Sequence, residues 1–268
     1  MTITLAGERG SSPPGASAGR PRISVGHSLP PDRGPRQPKA AERVAGEIVH
    51  DIVARGMRTG DHLPLEAQMV EEYGASRASV REALRLLEVQ GLLHLKPGPG
   101  GGPVVGQVDP VNLARTTSLY FHLGGATFDA ALRTQLLLEP ACAQLAARHP
   151  LRHATMDRYL KPATARSGDD YRARVDSFHA AIYRLAGNPI IALLTQAITR
   201  IVSEQLTATL DPIELREAVL HEHAALARAI AGGQQDVAAR LMVEHLRTQH
   251  HHFRIHSPDK VDDLIEWR

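Results

Sequence analysis

Three arginines at regular spacing are the side chains of this sequence best suited to bind a polyanion. Arg77, Arg81 and Arg85 are each four residues apart, so on a helix they share one side. A guanidinium group near the start of such a helix can enter the major groove of DNA and donate two hydrogen bonds to the O6/N7 edge of guanine. The alternative is that the three arginines form a solvated face of an exposed helix, because such stripes are common.

The residues around the arginines predict the helix that must carry them. Ser76 or Ser79 could cap its start, with Ser79 and Glu82 at the spacing of a capping box, and Gly91 could end it. Both serines are short hydroxyl donors suited to phosphate contacts. The helix also carries an apolar stripe at helical spacing, which predicts that its other face packs in a core. This stripe consists of Val80, Ala83, Leu84 and Leu87.

A preceding helix and a following hairpin are predicted on either side of this arginine helix. Residues 66–73 have the pattern of a short helix, and Gly74 is suited to a tight turn. The glycine-rich segment 98–102 is typical of the tip of a two-stranded wing that ends at residues 104–105, and glycine lets a backbone approach phosphates closely. Together these elements have the layout of a winged helix-turn-helix, which favours DNA binding over a merely solvated face.

A second chemical feature is a set of three histidines in the later part of the chain. His179, His223 and His245 lie on three different predicted helices, and each has apolar residues three or four positions away, so their rings should face a helical interior. Each could be a hydrogen-bonded core histidine. If they converge, neutral imidazoles can jointly hold a divalent metal.

Composition limits the function and location of the protein. The 268 residues allow two domains, and a formal net charge of +2 implies a small basic patch on the DNA-binding part and not a polycationic surface. The single cysteine, Cys142, cannot form an intrachain disulfide and is expected to be a core residue of a cytoplasmic protein. No apolar run approaches the roughly 20 residues needed to span a membrane, and the N-terminus lacks the apolar core of a signal peptide.

The pattern along the chain predicts a mainly α fold in two domains. Residues 1–38 are rich in Pro, Gly, Ser and Arg and are expected to be a disordered tail. Residues 39–106 form the winged helix-turn-helix with its small β wing, residues 107–256 an antiparallel all-α helical bundle, and residues 257–268 a polar tail. The helices predicted for the bundle are 111–122, 127–148, 151–165, 169–186, 190–208, 212–231 and 235–254.

The N-terminal part resembles the DNA-binding domain of the GntR family of bacterial transcription regulators. The matching motifs are Gly60-Asp61…Leu63-Pro64-x-Glu66, Gly74-x-Ser76-Arg77-x-x-Val80-Arg81-Glu82-Ala83-Leu84 and Gly91-Leu92. The resemblance implies that Arg77 and Arg81 contact the operator. Family members usually have an arginine after the glutamate of Pro-x-Glu, and Ala67 removes that contact here. The expected DNA-binding residues are Ser76, Arg77, Ser79, Arg81, Arg85, Gly100 and Gly101.

Three motifs mark the C-terminal part: Leu138-Glu139-Pro140…Leu145-Ala146-Ala147, Phe178-His179…Gly187-Asn188-Pro189 and Glu222-His223…Ala229-Ile230. In these motifs it resembles the FCD effector domain of the FadR subfamily, which implies that residues 107–256 bind an effector and mediate dimerisation. In many relatives three histidines, together with an aspartate four residues before the first, bind a metal. His179, His223 and His245 match those histidines, which implies a divalent metal such as zinc or nickel. The acidic position holds Val175, and Asp176, one residue later and about 100° round the helix, is the substitute candidate ligand.

The expected effector contact also departs from the family pattern. Many relatives carry an arginine four residues before the Glu-Pro pair, where it meets an acidic effector; this chain has Gln135 there, and Arg133 lies two residues away. Gln135 and Arg133 are therefore the candidate effector-binding residues, and a carboxylate effector is less strongly indicated than in the family.

These observations predict a dimeric transcription regulator, repression being the commoner outcome among similar proteins. Two winged domains would bind double-stranded operator half-sites about one helical turn apart, and a small-molecule effector would favour one arrangement of them. No catalytic residue is predicted. Two alternatives are a metal-dependent enzyme in the helical domain, since three histidines leave coordination positions open, and a DNA-binding protein that needs no effector.

Overall fold

The computed structural model describes residues 39–98, 100–107, 109–161, 167–210 and 213–267, and the predicted tail over 1–38 lies outside them. The described chain is mainly helical with one two-stranded antiparallel sheet, which confirms the predicted fold class. None of its described helices has the length and apolar character needed to cross a bilayer.

The N-terminal half contains the predicted winged helix-turn-helix, preceded by a helix that the sequence analysis did not assign. This extra helix packs against the arginine helix through the fully buried Val44 and Ile48, which are four residues apart. Gln68 accepts a hydrogen bond from the backbone of Leu65 at the start of the second helix. The elements are α1 (Ala40–Ala54), α2 (Glu66–Glu72), α3 (Arg77–Val89), β1 (Leu93–Lys96) and β2 (Gly102–Val105).

The wing is a short antiparallel hairpin that closes the core of this half. Leu93 pairs with Val105 at the base of the hairpin, and a bridge from His62 to Val104 extends the sheet on its other side. Because Leu93 and the apolar stripe of α3 are buried in one cluster, the hairpin holds α3 from the C-terminal side. The arginines of α3 are left on the opposite face.

The C-terminal half is entirely helical in its described residues. The predicted helix over 151–165 is shorter than expected: α6 ends at Met156 and a single 3-10 turn, Asp157–Tyr159, follows, while 162–166 lie outside the described residues. The other predicted helices agree with the structure within a few residues at each end. The helices of this half are α4 (Pro110–Leu123), α5 (Phe128–Ala146), α6 (Arg152–Met156), α7 (Gly168–Leu185), α8 (Pro189–Leu210), α9 (Ile213–Ala231), α10 (Gln235–His256) and α11 (Pro258–Val261), the last of which was not predicted.

Helix α5 lies at the centre of this bundle, in contact with α7, α8, α9 and α10. The main core consists of small and branched side chains from α5, α7, α9 and α10. A second cluster joins α4, α5, α8 and α10. Both clusters surround the segment of α5 from Gln135 to Glu139, whose polar side chains are buried. Polar groups in such a position must find partners inside the protein, so this is where a site is expected.

The segment 257–268, predicted to be a polar tail, packs against the bundle in its described part. Ile265 is 1% exposed, and its backbone amide donates a hydrogen bond to the carbonyl of Ala126. The side-chain amide of Gln205 on α8 donates to the carbonyl of Glu266 at 2.8 Å. The segment therefore packs over the junction of α4, α5 and α8.

Candidate functional site

The start of α3 is fixed by Ser76. Its Oγ accepts a hydrogen bond from the backbone amide of Ser79 at 3.1 Å, so Ser76 is the N-cap and the helix begins at Arg77. The capping box suggested for Ser79 and Glu82 does not form, because Ser79 already lies inside the first turn. Gly91, with a φ of 73°, ends the helix as predicted.

The three arginines of α3 lie on its exposed face, while the apolar stripe behind them is buried. Arg81 donates from Nε to Oε2 of Glu66, at the start of α2, over 2.9 Å, and 65% of its side chain remains exposed. Arg77 and Arg85 make no ion pair with any described residue. This face therefore presents three guanidinium groups to solvent, with the middle one held by a carboxylate.

The glycines at the tip of the wing are required by its backbone. Gly100 has a φ of 77°, a conformation that other residues rarely adopt. A Cβ atom on Gly101 would lie 2.2 Å from the carbonyl oxygen of Lys96. The backbone of the tight tip is by itself a reason for glycine at these positions. The contact of Gly100 and Gly101 with DNA stays a prediction.

The three histidines converge in the bundle. Each of His179, His223 and His245 offers one ring nitrogen, and these nitrogens lie within 4.8 Å of one another in the buried interior. The Nε2 atoms of His223 and His245 are 3.2 Å apart. Two nitrogens bound to one tetrahedral zinc ion at about 2.0–2.1 Å would be separated by about 3.4 Å. The three residues therefore fit a divalent metal.

Carboxylates on the far side of two of these rings orient them. Nδ1 of His179 is 2.8 Å from Oε2 of Glu139, and Nδ1 of His245 is 2.7 Å from Oε2 of Glu222. A histidine that donates Nδ1–H to a carboxylate leaves the lone pair of Nε2 for a metal, which is the usual arrangement around protein-bound zinc. Gln249 contacts Nε2 of His245 at 2.7 Å, so its amide lies where a metal would bind and has to move when one does.

Burial favours the neutral form of the histidines in the cluster, which is the form that binds a metal. It lowers the pKa of His223 well below its usual value, and the neighbouring rings of His245 and His179 lower it further. Burial also lowers the pKa of His245, against the opposing effect of its hydrogen bond to Glu222. Both rings are thus neutral near pH 7, as metal ligation requires.

Glu139 is the residue of this site that sequence reasoning missed. It is fully buried and accepts hydrogen bonds from Thr199 at 2.9 Å and from Gln135 at 3.3 Å in addition to its contact with His179. Burial raises its pKa, but attraction to His179 and these hydrogen bonds prevail and lower the pKa below its usual value. The signal was a glutamate inside the apolar run 136–146, where an ionised side chain needs partners.

Asp176 does not join the cluster. Its side chain is exposed, and the set of ligand nitrogens that lie together contains the three histidines alone. It lines a cavity that adjoins the cluster instead. The fourth ligand expected from the sequence is therefore not supplied by Asp176.

A cavity of about 300 Å³ adjoins the histidine cluster. Gln135, Glu139 and His179 line it, which agrees with the expected effector position of Gln135. Arg133 does not line it: its side chain is 74% exposed and pairs with Asp129 one turn earlier. Two residues along a helix are about 200° apart, so Arg133 and Gln135 point to opposite sides of α5.

Two other arginines line the cavity and were not singled out from the sequence. Arg172 on α7 pairs with Asp169 at 3.0 Å, and Arg200 on α8 pairs with Glu204 at 2.5 Å. Their side chains are about half exposed, so these pairs are weakly held and can exchange for a ligand. The cavity is thus lined by one histidine of the cluster, His179, by two arginines, and by the carboxylates of Glu139, Asp176 and Glu204.

Both halves of the chain match known families. A family model described as "Bacterial regulatory proteins, gntR family" matches residues 40–101, and one described as "FCD domain" matches residues 130–248. The repressor NanR of Edwardsiella tarda is 27% identical over 244 residues, covering 84% of this chain and 89% of its own length. The Uxu operon regulator of Haemophilus influenzae is 24% identical, covering 75% of this chain and 77% of its own.

One solved structure has the same fold. Streptococcus agalactiae GntR superposes with a TM-score of 0.56 at 19% identity, covering 78% of this chain and 98% of that one. This likeness supports the arrangement of a winged domain followed by a helical bundle.

Proposed function

Because the chain belongs to the GntR family of bacterial regulatory proteins and carries an FCD domain, consistent with the FadR-like subfamily, we propose that it is a homodimeric repressor of transcription. Family membership makes it a DNA-binding regulator whose operator binding responds to an effector, and not an enzyme. We propose repression of transcription, and not activation, because a similar protein is named a repressor. Binding to chromosomal DNA implies that it works in the cytoplasm.

The observation that carries this proposal is the arginine row, which is the exposed set of Arg77, Arg81 and Arg85 on α3. The opposite face of this helix is packed in the core. Ser76 sets where α3 begins, and the core and wing hold its apolar face. Arg77, Arg81 and Arg85 can therefore meet base edges and phosphates in the major groove, while the Gly100–Gly101 tip approaches the minor groove. Ser76 and Ser79 contact phosphates and set the register.

The effector site is proposed in the cavity beside the histidine cluster. His179, His223 and His245 would hold a divalent ion such as zinc or nickel, which supplies an electrophilic centre for oxygen atoms of a ligand. The chain's own residues bind the remainder of the ligand: Gln135 offers an amide, and Arg172 and Arg200 offer positive charge. Asp176 and Glu204 also line the cavity, so an acidic small molecule would have to be held by the ion and the two guanidinium groups.

The two halves are connected by direct packing. Helix α8, which contributes one wall of the cavity, packs along α4. The side chain of Asn112, in the first turn of α4, fills the space that a Cβ atom on Gly91 would need at the end of α3. A ligand that shifts α8 therefore moves α4 against the end of α3, and so changes the spacing of the two arginine rows in a dimer.

Selection of bound DNA from a random duplex pool, with the full-length protein, tests the proposal. We expect an enriched near-palindrome whose half-sites are about 10 base pairs apart. Failure to enrich any sequence at low salt would refute it. If the selected duplex is bound with an affinity that no small molecule alters, the alternative of an effector-independent DNA-binding protein is correct.

A further inference from the structure

Glu66 is the only carboxylate that touches the arginine row in the described part of the chain. It lies at the first position of α2, where the helix dipole favours a negative charge. Its Oε2 accepts the hydrogen bond from Nε of Arg81, and the next residue along the chain, Ala67, offers no competing cation. Glu66 therefore has one described partner, and that partner is in the middle of the row.

This pair is poorly explained as a stabilising contact. The two side chains are 65% and 45% exposed, and ion pairs this exposed contribute little to folding. Helix α2 packs on α3 through the fully buried Met69, which lies in one cluster with the apolar stripe of α3. It is tied to the end of α1 by Arg55 with Glu72 and by Tyr73 with Asp51. Removal of Glu66 therefore leaves the described packing of α2 in place.

The geometry suits the orientation of a guanidinium group. Arginine has five N–H donors in a rigid plane, and the contact with Glu66 uses the one at Nε. Both Nη groups remain available, and two parallel donors are what guanine O6 and N7 require. An arginine held at Nε keeps its plane fixed, whereas Arg77 and Arg85, without ion pairs to described residues, are free to contact phosphates in several rotamers.

From these observations we propose that Glu66 is a positioning residue that sets the base specificity of Arg81. This inference rests on the proposed DNA-binding function. The fixed orientation of Arg81 widens the ratio between specific and non-specific binding.

The test compares four full-length proteins: the parent, Glu66→Ala, Glu66→Gln and Glu71→Ala. Glu71 is an exposed carboxylate on the same helix without a described partner, so its removal makes the same change of charge. Each protein is used for selection from a random duplex pool. Its dissociation constants for the parent's selected duplex and for a scrambled duplex are then measured at one salt concentration.

We expect Glu66→Ala to reduce the ratio of the two affinities about 10-fold and to lose the preference for one guanine in each half-site. Glu66→Gln should retain that preference, because its amide oxygen still accepts from Nε. Glu71→Ala should select the parent's sequence with an unchanged ratio. In an Arg81→Ala background, Glu66→Ala should have no further effect on the ratio.

Two results would overturn the inference while leaving the proposed function intact. One is a Glu66→Ala protein that selects the parent's sequence with the parent's ratio. The other is a Glu66→Gln protein that loses the preference as fully as Glu66→Ala, which would make charge alone responsible. If the parent itself enriches no sequence, the proposed function fails and this inference fails with it.

Discussion

The Nε2 atoms of His223 and His245 face each other at 3.2 Å inside the helical half of the protein. They come from α9 and α10, and the ring of His179 on α7 lies against both, with centroids 5.2 and 5.6 Å away. Three helices thus bring nitrogen donors to one buried point, where a bound cation would hold the helices together.

Replacing His223 by alanine should abolish stoichiometric metal binding. The parent should contain about one divalent ion per subunit, and a chelator should lower its melting temperature because the ion binds only the folded state. The variant should lack the ion and melt at the same temperature with and without the chelator. His221→Ala is the matched control, since His221 is exposed two residues away. Equal metal content in His223→Ala and the parent would contradict the assignment.

Glu139→Gln should weaken the metal without removing a ligand. The amide has nearly the same shape, but its neutral oxygen accepts the Nδ1 proton of His179 more weakly than a carboxylate does. Loss of such a supporting contact typically costs 10–100-fold in metal affinity. Competition with a chelating dye measures this constant, and Glu217→Gln, the same substitution at an exposed position of α9, serves as the control. An unchanged constant would mean that Glu139 does not orient the ligand.

Stability should fall as the pH drops below neutrality, partly because of His250. Burial lowers the pKa of this histidine to about 4, whereas in the unfolded chain it is about 6.5. Between these values the unfolded state binds more protons, so the free energy of unfolding decreases as pH falls through the window from 6.5 to 4. His250→Gln should reduce the loss between pH 7 and pH 5 by about 2 kcal/mol.

Urea unfolding with a chelator present, at both pH values, measures this difference. His251→Gln is the control, because His251 is exposed on the same helix. Parallel pH dependence in His250→Gln and the parent would show that His250 does not contribute.

Arg172 and Arg200 should carry the response to acidic effectors. A thermal-shift screen of carboxylic acids on the metal-loaded parent should find ligands that raise the melting temperature. Replacing both arginines by alanine should remove these shifts, because no other arginine or lysine among the described residues lines the cavity. Arg133→Ala should keep them, since this side chain points to solvent. Shifts lost in Arg133→Ala but kept in the double variant would reverse the assignment.

Arg81→Ala should weaken binding to the selected operator about 5- to 150-fold per lost guanine contact. The fold and oligomeric state should be unchanged, because the side chain is exposed. Fluorescence anisotropy with a labelled duplex gives the affinity, and light scattering gives the assembly. An equal loss for operator and scrambled DNA would mean that Arg81 contacts only phosphate.

The winged half could be predicted from the sequence because its signals are local. A serine before the first arginine, apolar residues at helical spacing and a glycine after the last turn define α3 within 16 residues, from Ser76 to Gly91. Helix α1 was missed although Val44 and Ile48 carry the same spacing. The packed C-terminal segment was missed in the same way, since Val261 and Ile265 are an apolar pair four residues apart in a polar context.

The helical site could be predicted only in part, because its residues are distant in the chain. The convergence of three histidines came from the family resemblance, since spacing within one helix says nothing about its neighbours. Helical phase explains why Arg133 points away from Gln135, whereas Asp176 is exposed and lines the cavity without joining the three histidines. Arg172 and Arg200 could not be found from the α5 motif, because they reach the cavity from α7 and α8.

The C-terminal segment packed over α4, α5 and α8 gives the protein an intrinsic optical reporter. Trp267, the only tryptophan in the sequence, directly follows the residue that is hydrogen-bonded to Gln205 on α8, and it is 56% exposed. Any displacement of α8 on ligand binding changes the solvent around this single indole. The fluorescence emission of Trp267 can therefore follow that displacement without a dye. An affinity tag at this end of the chain would change the surroundings of the indole and so disturb the signal.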